Sequence, residues 1–182
     1  LDAFLSCAIR NFNREGVMGT SINQIAKELG VTRGAIYYYV EDKEELLFLC
    51  YQRLGNFFKT HTAPIKAENS LITEVQIRRT MFQGHDSCDG PIMSYAGVSS
   101  LSEEHRNKLI HDFSTIISHD RNYIASAIAE GSFRNVDPFI TEKYRAGLIN
   151  WFPVWFNPNG RNSALEIADT YSSLYLYGLS PR

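Results

Sequence analysis

Cysteine is scarce in this chain. Three thiols, Cys7, Cys50 and Cys88, in 182 residues cannot all pair. So small and odd a set excludes a disulfide-built fold and fits a reducing compartment. Cys7 and Cys50 fall on apolar helical faces and read as plain core residues. No apolar run is long enough to cross a membrane and no secretory leader pattern is present, so a cytoplasmic protein is expected. Alternating β patterns, internal repeats and low-complexity tracts are missing, which leaves an all-α protein. Catalytic signatures are missing too: no G-x-S-x-G, Walker A or G-x-G-x-x-G loop occurs. Cys88 with His85, Asp86 and Asp89 has the wrong spacing for zinc and reads as a polar loop. His105, His111 and His119 stand six and eight residues apart, so they make no i,i+4 ligand pair. No enzyme, metal or cofactor is expected.

What the chain has is helix after helix, with the ends marked. Residues 1–15 form the first, with Phe4, Leu5, Ala8, Ile9 and Phe12 inward. The most informative stretch follows, from Thr20 to Lys43. Ser21 and Gln24 form a capping-box pair, and Ile22, Ile25, Ala26 and Leu29 then make one apolar face. Gly30 suits a left-handed helix end. Thr32 caps a second short helix running through Tyr39, with Ala35, Ile36 and Val40 inward. Asp42 and Glu45 announce a long helix from Lys43. Two short helices across a Gly turn, followed by a third helix, are the plan of a helix-turn-helix, whose second helix enters the DNA major groove.

That second helix exposes chemistry suited to DNA. Thr32, Arg33, Tyr37 and Tyr38 offer hydroxyls and a guanidinium. Hydroxyls suit phosphates and Arg suits guanine. Gly34, which costs about 1 kcal/mol in a helix interior, lets backbone approach a phosphate or base edge. The supply of positive charge is small. Residues 1–50 carry Arg10, Arg14, Lys27, Arg33 and Lys43 against seven acids, and the whole chain has a formal net charge of −2. Binding therefore rests on a few placed contacts, with modest nonspecific affinity.

Residues 4–54 resemble the DNA-binding domain of the TetR family of transcriptional repressors. The resemblance is carried by Phe12, Gly16, Thr20-Ser21, Ile25-Ala26, Gly30-Val31, Arg33-Gly34, Ile36 to Tyr39 and Lys43 to Leu47. It implies that Thr32, Arg33, Gly34, Tyr37, Tyr38 and Lys43 contact DNA, and that Ser21 marks a helix N-terminus facing a phosphate. Tyr39 stands where many members have His, and Glu41-Asp42 adds negative charge near that face. The chain starts at Leu1 without Met, so a short N-terminal arm, often basic in this family, is expected to precede it.

Beyond the first three helices, a domain of residues 51–182 is expected, against 1–50 for the DNA-binding unit. The helix from Lys43 breaks before Pro64; further helices span 68–83 and 92–97, with a polar turn at 84–91 between them. A long helix runs from Ser102 to Ala129, another from Pro138 toward Trp155, and the last, capped by Ser163 with Glu166, ends at Gly178. Tyr144, Leu148 and Trp155 with Ile140 and Trp151 make one aromatic stripe; Ile167, Tyr171, Leu174 and Tyr175 with Leu165 and Ala168 make another. Such enrichment marks interface centres, and the family resemblance implies a homodimer through a four-helix bundle. The middle helices are expected to enclose a pocket. Arg78 or Arg79 would hold an acidic head, and Phe82, Met93, Phe113, Ile117 and Trp151 an apolar body; Asp120, on the same buried stripe, joins this ligand set, and the plainer alternative is an ion pair between Asp120 and one of these arginines, or arginine stems lying along apolar surface. The run Asn150 to Gly160, with Glu166 to Asp169, resembles members that sense fatty acyl-CoA. The expected protein is a ligand-responsive repressor on a palindromic operator. The rivals are a DNA-binding regulator without an effector and, more remotely, a helical enzyme.

Overall fold

The computed structural model describes residues 1–62, 64–65, 69–84 and 95–179. Met93 and the Cys88 loop with His85, Asp86 and Asp89 lie outside them. The described residues form helices α1 (Asp2–Gly19), α2 (Ile22–Leu29), α3 (Arg33–Tyr37), α4 (Lys43–Phe57), α5 (Ser70–Gln83), α6 (Glu103–Ala129), α7 (Pro138–Trp155) and α8 (Ala164–Leu179). The fold is all-α, and among the described residues no strand occurs. A π-helical turn, Phe58–Thr62, extends α4, and a 3₁₀ turn spans Tyr95–Ser100, later than the short helix expected at 92–97. No helix of the described residues is long and apolar enough to cross a membrane.

The first four helices close around one apolar core. Leu5, Ala8, Ile9 and Phe12 of α1, Ile22 and Ile25 of α2, Ile36 of α3, Val40, and Leu46, Leu47 and Tyr51 of α4 are all buried in it. α3 has only five residues, too few to be stable alone. Fully buried Ile36 and nearly buried Val40 fasten it to the core. Its ends are set by local chemistry. Thr32 Oγ1 accepts from the Ala35 N–H at 3.3 Å. At the α2 end, Gly30 takes φ +67°, and the Val31 N–H reaches back to the Ala26 carbonyl at 3.0 Å. This is the helix-ending turn that only a left-handed residue completes. The Ser21 cap is made, its Oγ accepting from the Gln24 N–H at 3.2 Å. The Gln24 side chain instead donates to Glu15 Oε1, so the reciprocal half of the box is absent.

α4 continues without a break through the expected boundary at residue 50. Beyond it, α5 packs along α8 and α6 along α7. Phe82, Phe152, Ala164 and Ala168 form one small core, and Ile124, Ala127, Phe133 and Tyr175 another. The cap of α8 is reciprocal: Ser163 N–H donates to Glu166 Oε2 at 2.8 Å, and the Glu166 N–H donates to Ser163 Oγ at 3.3 Å. Pro153 sits in the last turn of α7, where it removes one i→i−4 hydrogen bond just before the helix ends at Trp155.

Gly30→Ala is expected to lower stability by about 1 kcal/mol through backbone strain alone. Open space surrounds the added methyl, so no steric clash contributes. A denaturant midpoint equal to that of the parent protein would contradict the strained-turn account.

Candidate functional site

The outer face of α3 is polar and open. Thr32, Arg33 and Gly34 are exposed, and Tyr38 is 82% exposed, the most open aromatic of its turn. Arg33 is held in place by Tyr37: its Nη2 donates to the phenol oxygen at 2.9 Å, and its guanidinium lies 5.0 Å from the ring centroid. A methyl added at Gly34 would meet nothing closer than Thr32 Oγ1 at 3.9 Å. The fold therefore does not require glycine there. Ser21 is exposed at the N-terminus of α2. Tyr39 turns the other way and packs on Phe4 of α1, centroids 5.3 Å apart. Lys43 differs from the rest of the expected DNA set. It is half-buried, and its Nζ donates to the Val17 and Thr20 carbonyls at 2.9 and 3.1 Å, closing the end of α1. Two of its three ammonium protons serve the fold.

A joint links this unit to the rest of the chain. Glu44 of α4 accepts from the Ser102 N–H at 2.8 Å, just where α6 begins, and lies 2.8 Å from His105 Nδ1. The His105 ring stacks on Phe48 at 4.1 Å with 7° between the planes. Sequence reading passed over this joint because His105 and Glu44 stand 61 residues apart.

Between α4 and α7 lies a cavity of about 560 Å³, within the range that holds drug-sized ligands. Leu54, Phe58, Ile77, Met81, Phe113 and Ile117 supply much of its apolar wall. Asp120, Tyr123, Glu142, Lys143 and Arg145 supply its polar end. Behind that end is a buried ion network. Glu74 binds Arg78 four residues on and also Arg145 Nη2 at 3.2 Å. Arg145 binds Asp120 in turn. Glu142 is met from the rim by Lys143 at 3.1 Å and Arg121 at 3.4 Å. Burial pushes the Asp120 carboxyl above its ordinary range; Arg145 opposes this, while Glu74 and Glu142 add to it. Burial also works against the Arg145 charge, but Glu74 and Asp120 outweigh it, and the guanidinium is held above its ordinary range.

The expected ligand residues therefore divide. Phe113, Ile117 and Asp120 line the cavity. Arg78 does not: it is 1% exposed, paired with Glu74 under the Tyr175 ring. Arg79 points to the surface and meets Asp169 of α8 at 2.9 Å. Phe82 packs against Phe152 and Tyr171 in a neighbouring core. Trp151 is 63% exposed on the outer side of α7. An acidic head thus loses both arginines assigned to it. Asp120 does have its arginine, but on α7, at position 145.

The stripes of α7 and α8 divide in the same way. Ile140, Tyr144, Trp151 and Trp155 are exposed and Leu148 is half-buried. On α8, Leu174 is exposed, and so is Tyr177, which apolar spacing did not single out. Ile167 and Tyr175 are buried within the chain instead, and Tyr171 is half-buried. The reason is that α8 turns this face toward α5, and Tyr175 stacks on Tyr144 at 5.8 Å.

A five-residue polar helix presented by a three-helix core, and joined to a helical body with an apolar cavity, defines a helix-turn-helix transcriptional regulator. Residues 4–50 match the family described as bacterial regulatory proteins, tetR family, and residues 79–179 match the tetracyclin repressor-like C-terminal domain. The chain belongs to the TetR family. It is similar to the HTH-type transcriptional regulator AcrR of Shigella flexneri, 52% identical over 42 residues, which is 23% of this chain and 20% of that relative. Likeness to this curated relative thus spans only a fifth of its length. The TetR family regulator PfmR of Thermus thermophilus superposes with a TM-score of 0.82 at 25% identity, over 98% of this chain and 99% of that one. AibR, solved in complex with isovaleryl coenzyme A and operator DNA, superposes at 0.79 with 22% identity, over 97% of each chain. The matched relatives are transcriptional regulators.

Glu74→Gln would leave two nearly fully buried arginines short of a counter-charge. We expect a loss of about 3–5 kcal/mol, the usual cost of breaking a buried ion pair from one side. A urea titration reads it, and a loss below about 1 kcal/mol would show that solvent reaches the network.

Proposed function

We propose that this protein is a repressor that binds a palindromic operator as a homodimer. It is released by a small, largely apolar effector held in the cavity, with a fatty acyl-CoA among the candidates. The observation that carries the reading is the path of α4. Its first turn closes α1 through Lys43 and touches α6 through Glu44, while Leu54 at its other end lines the cavity. One rigid helix thus touches both the DNA-reading unit and the space a ligand would fill. Residues 1–50 serve as the DNA-binding domain and 51–182 as the ligand-binding and dimerisation domain.

In this reading Arg33, Tyr37 and Tyr38 reach base edges and phosphates, Thr32 and the bare backbone at Gly34 take phosphate oxygens, and Ser21 places the α2 N-terminus at a phosphate. Lys43 contributes its remaining ammonium proton. The exposed stripe of Tyr144, Trp151, Trp155 and Leu174 is the centre of the dimer contact. Uncovered aromatic surface of this extent is costly in water and typical of interfaces. Two-fold symmetry then sets the recognition helices about 34 Å apart, one turn of DNA. The isovaleryl coenzyme A bound by AibR supports an acyl thioester as one effector class.

Selection from random duplex DNA tests the operator: a palindromic consensus is expected, and a set of unrelated single half-sites would overturn the dimer reading. Gly34→Ala should hold or raise thermal stability, since the methyl meets open space, yet weaken binding to the selected duplex. Arg33→Ala should cost about 1–3 kcal/mol and relax specificity at one base position. Trp151→Glu should give a folded monomer by sedimentation. If it stays dimeric, another surface carries the interface.

A further inference from the structure

The ion network behind the cavity is not evenly charged. Its inner part has two groups of each sign: Glu74 pairs with Arg78 and Arg145, and Asp120 with Arg145. Its outer part has two cations on one carboxylate. Lys143 Nζ lies 3.1 Å, and Arg121 Nη2 3.4 Å, from the same oxygen, Oε2 of Glu142. Among the described residues the network thus joins four cations to three carboxylates, and the surplus sits on its outer part.

That surplus lies where the cavity meets the surface. Lys143 and Gly147 stand four residues apart on α7, hence on one face of it. Both line the cavity and both are exposed. A Cβ added at Gly147 would meet nothing within 4 Å, so no side chain crowds the wall beside Lys143. The side chain of Glu142 is 4% exposed, whereas those of Lys143 and Arg121 keep 51% and 40%. Both cations also lie over the exposed Phe139 ring, 5.3 and 5.1 Å from its centroid, which holds their stems at the rim with their heads wet. Arg121 alone can balance Glu142, so Lys143 can take a second anion without stranding a buried carboxylate. An anionic head at such a rim keeps part of its hydration and escapes most of the cost of burying a charge. The chain behind it meets an apolar wall that includes Phe58, Met81, Phe113 and Ile117.

We propose that Lys143 takes the carboxylate of an apolar acid at the rim of the cavity, while Arg121 keeps Glu142 paired and the chain of the acid lies inside. This rests on reading the cavity as an effector site. It moves the acidic head from Arg78 and Arg79, which other contacts occupy, to a lysine of α7. One carboxylate neutralises the surplus charge, and a neutral alcohol or ester of the same chain does not.

The test uses the full chain loaded with Nile red, displaced by decanoate or decanol at neutral pH. Decanoate is expected to displace the dye at no higher a concentration than decanol, although the alcohol leaves water more readily. Lys143→Gln removes the surplus charge and leaves the Arg121–Glu142 pair in place. It should weaken decanoate about fivefold, the upper end for a partly exposed ion pair, and leave decanol unchanged. Lys143→Arg should keep decanoate within about twofold of the parent. Circular dichroism checks that each variant is folded, and the comparison within the parent protein stands without them. Decanol acting below decanoate in the parent overturns the inference, and so does a folded Lys143→Gln that binds both compounds as the parent does. Either result leaves the cavity as an effector site. If Nile red does not enter the parent protein, the effector-site reading and this inference fall together.

Discussion

One helix has to satisfy two cores, and the rest of the molecule is arranged around that constraint. α4 buries Leu46 and Leu47 among α1, α2 and α3, and Leu54 further along against α6. A linker between the two halves could be soft, but a helix interior cannot. Continuous backbone hydrogen bonds make it costly to bend without a proline or a π-bulge. The chain puts its π-helical turn at Phe58–Thr62, beyond Leu54, so α4 itself remains regular, while Phe58 in that turn packs against both the first core and the Phe82–Phe152 core. Glu44 and the Phe48–His105 stack then fasten the same helix sideways to α6.

The buried ions are a second kind of constraint. Glu74 alone serves two arginines, one on its own helix and one on α7, and Arg145 passes the connection to Asp120 on α6. Three helices are thereby held at one point. Such a network is weak evidence for net stability, because removing the charges from water costs about as much as pairing them returns. It fixes relative position more than it adds energy. Aromatic rings complete the surround: Tyr175 lies 4.4 Å from the Arg78 guanidinium and Tyr123 lies 5.7 Å from that of Arg145.

How much of this was legible in the sequence follows the range of the interactions. Local signals read well. Ser21, Thr32, Asp42 and Ser102 were marked by their types and spacing, and each accepts a hydrogen bond from its helix. Gly30 announced a left-handed turn for the same reason. The all-α class and the helix-turn-helix needed only such signals, together with apolar periodicity. Long-range choices read poorly. That Asp120 needed an arginine was evident from its buried stripe, but Arg145, 25 residues on, was not singled out. The Glu74–Arg78 spacing of four was a visible signal, and it would have removed Arg78 from the ligand set. For α8, periodicity gave an apolar face correctly but could not say whether that face covers a neighbour in the same chain. Ile167 and Tyr175 lie inside, and Tyr177 outside.

The unbroken run of α4 also has a mechanical meaning. Fifteen residues at about 1.5 Å each make an arm of roughly 22 Å. An arm of that length tilted by about 5° carries its far end through about 2 Å. Leu54 and Lys43 lie eleven residues apart on this arm, roughly 16 Å, so the same tilt about Leu54 moves Lys43 by about 1.4 Å. On the proposed reading of the cavity as an effector site, volume added beside Leu54 would reach the DNA-reading unit as a tilt of this kind.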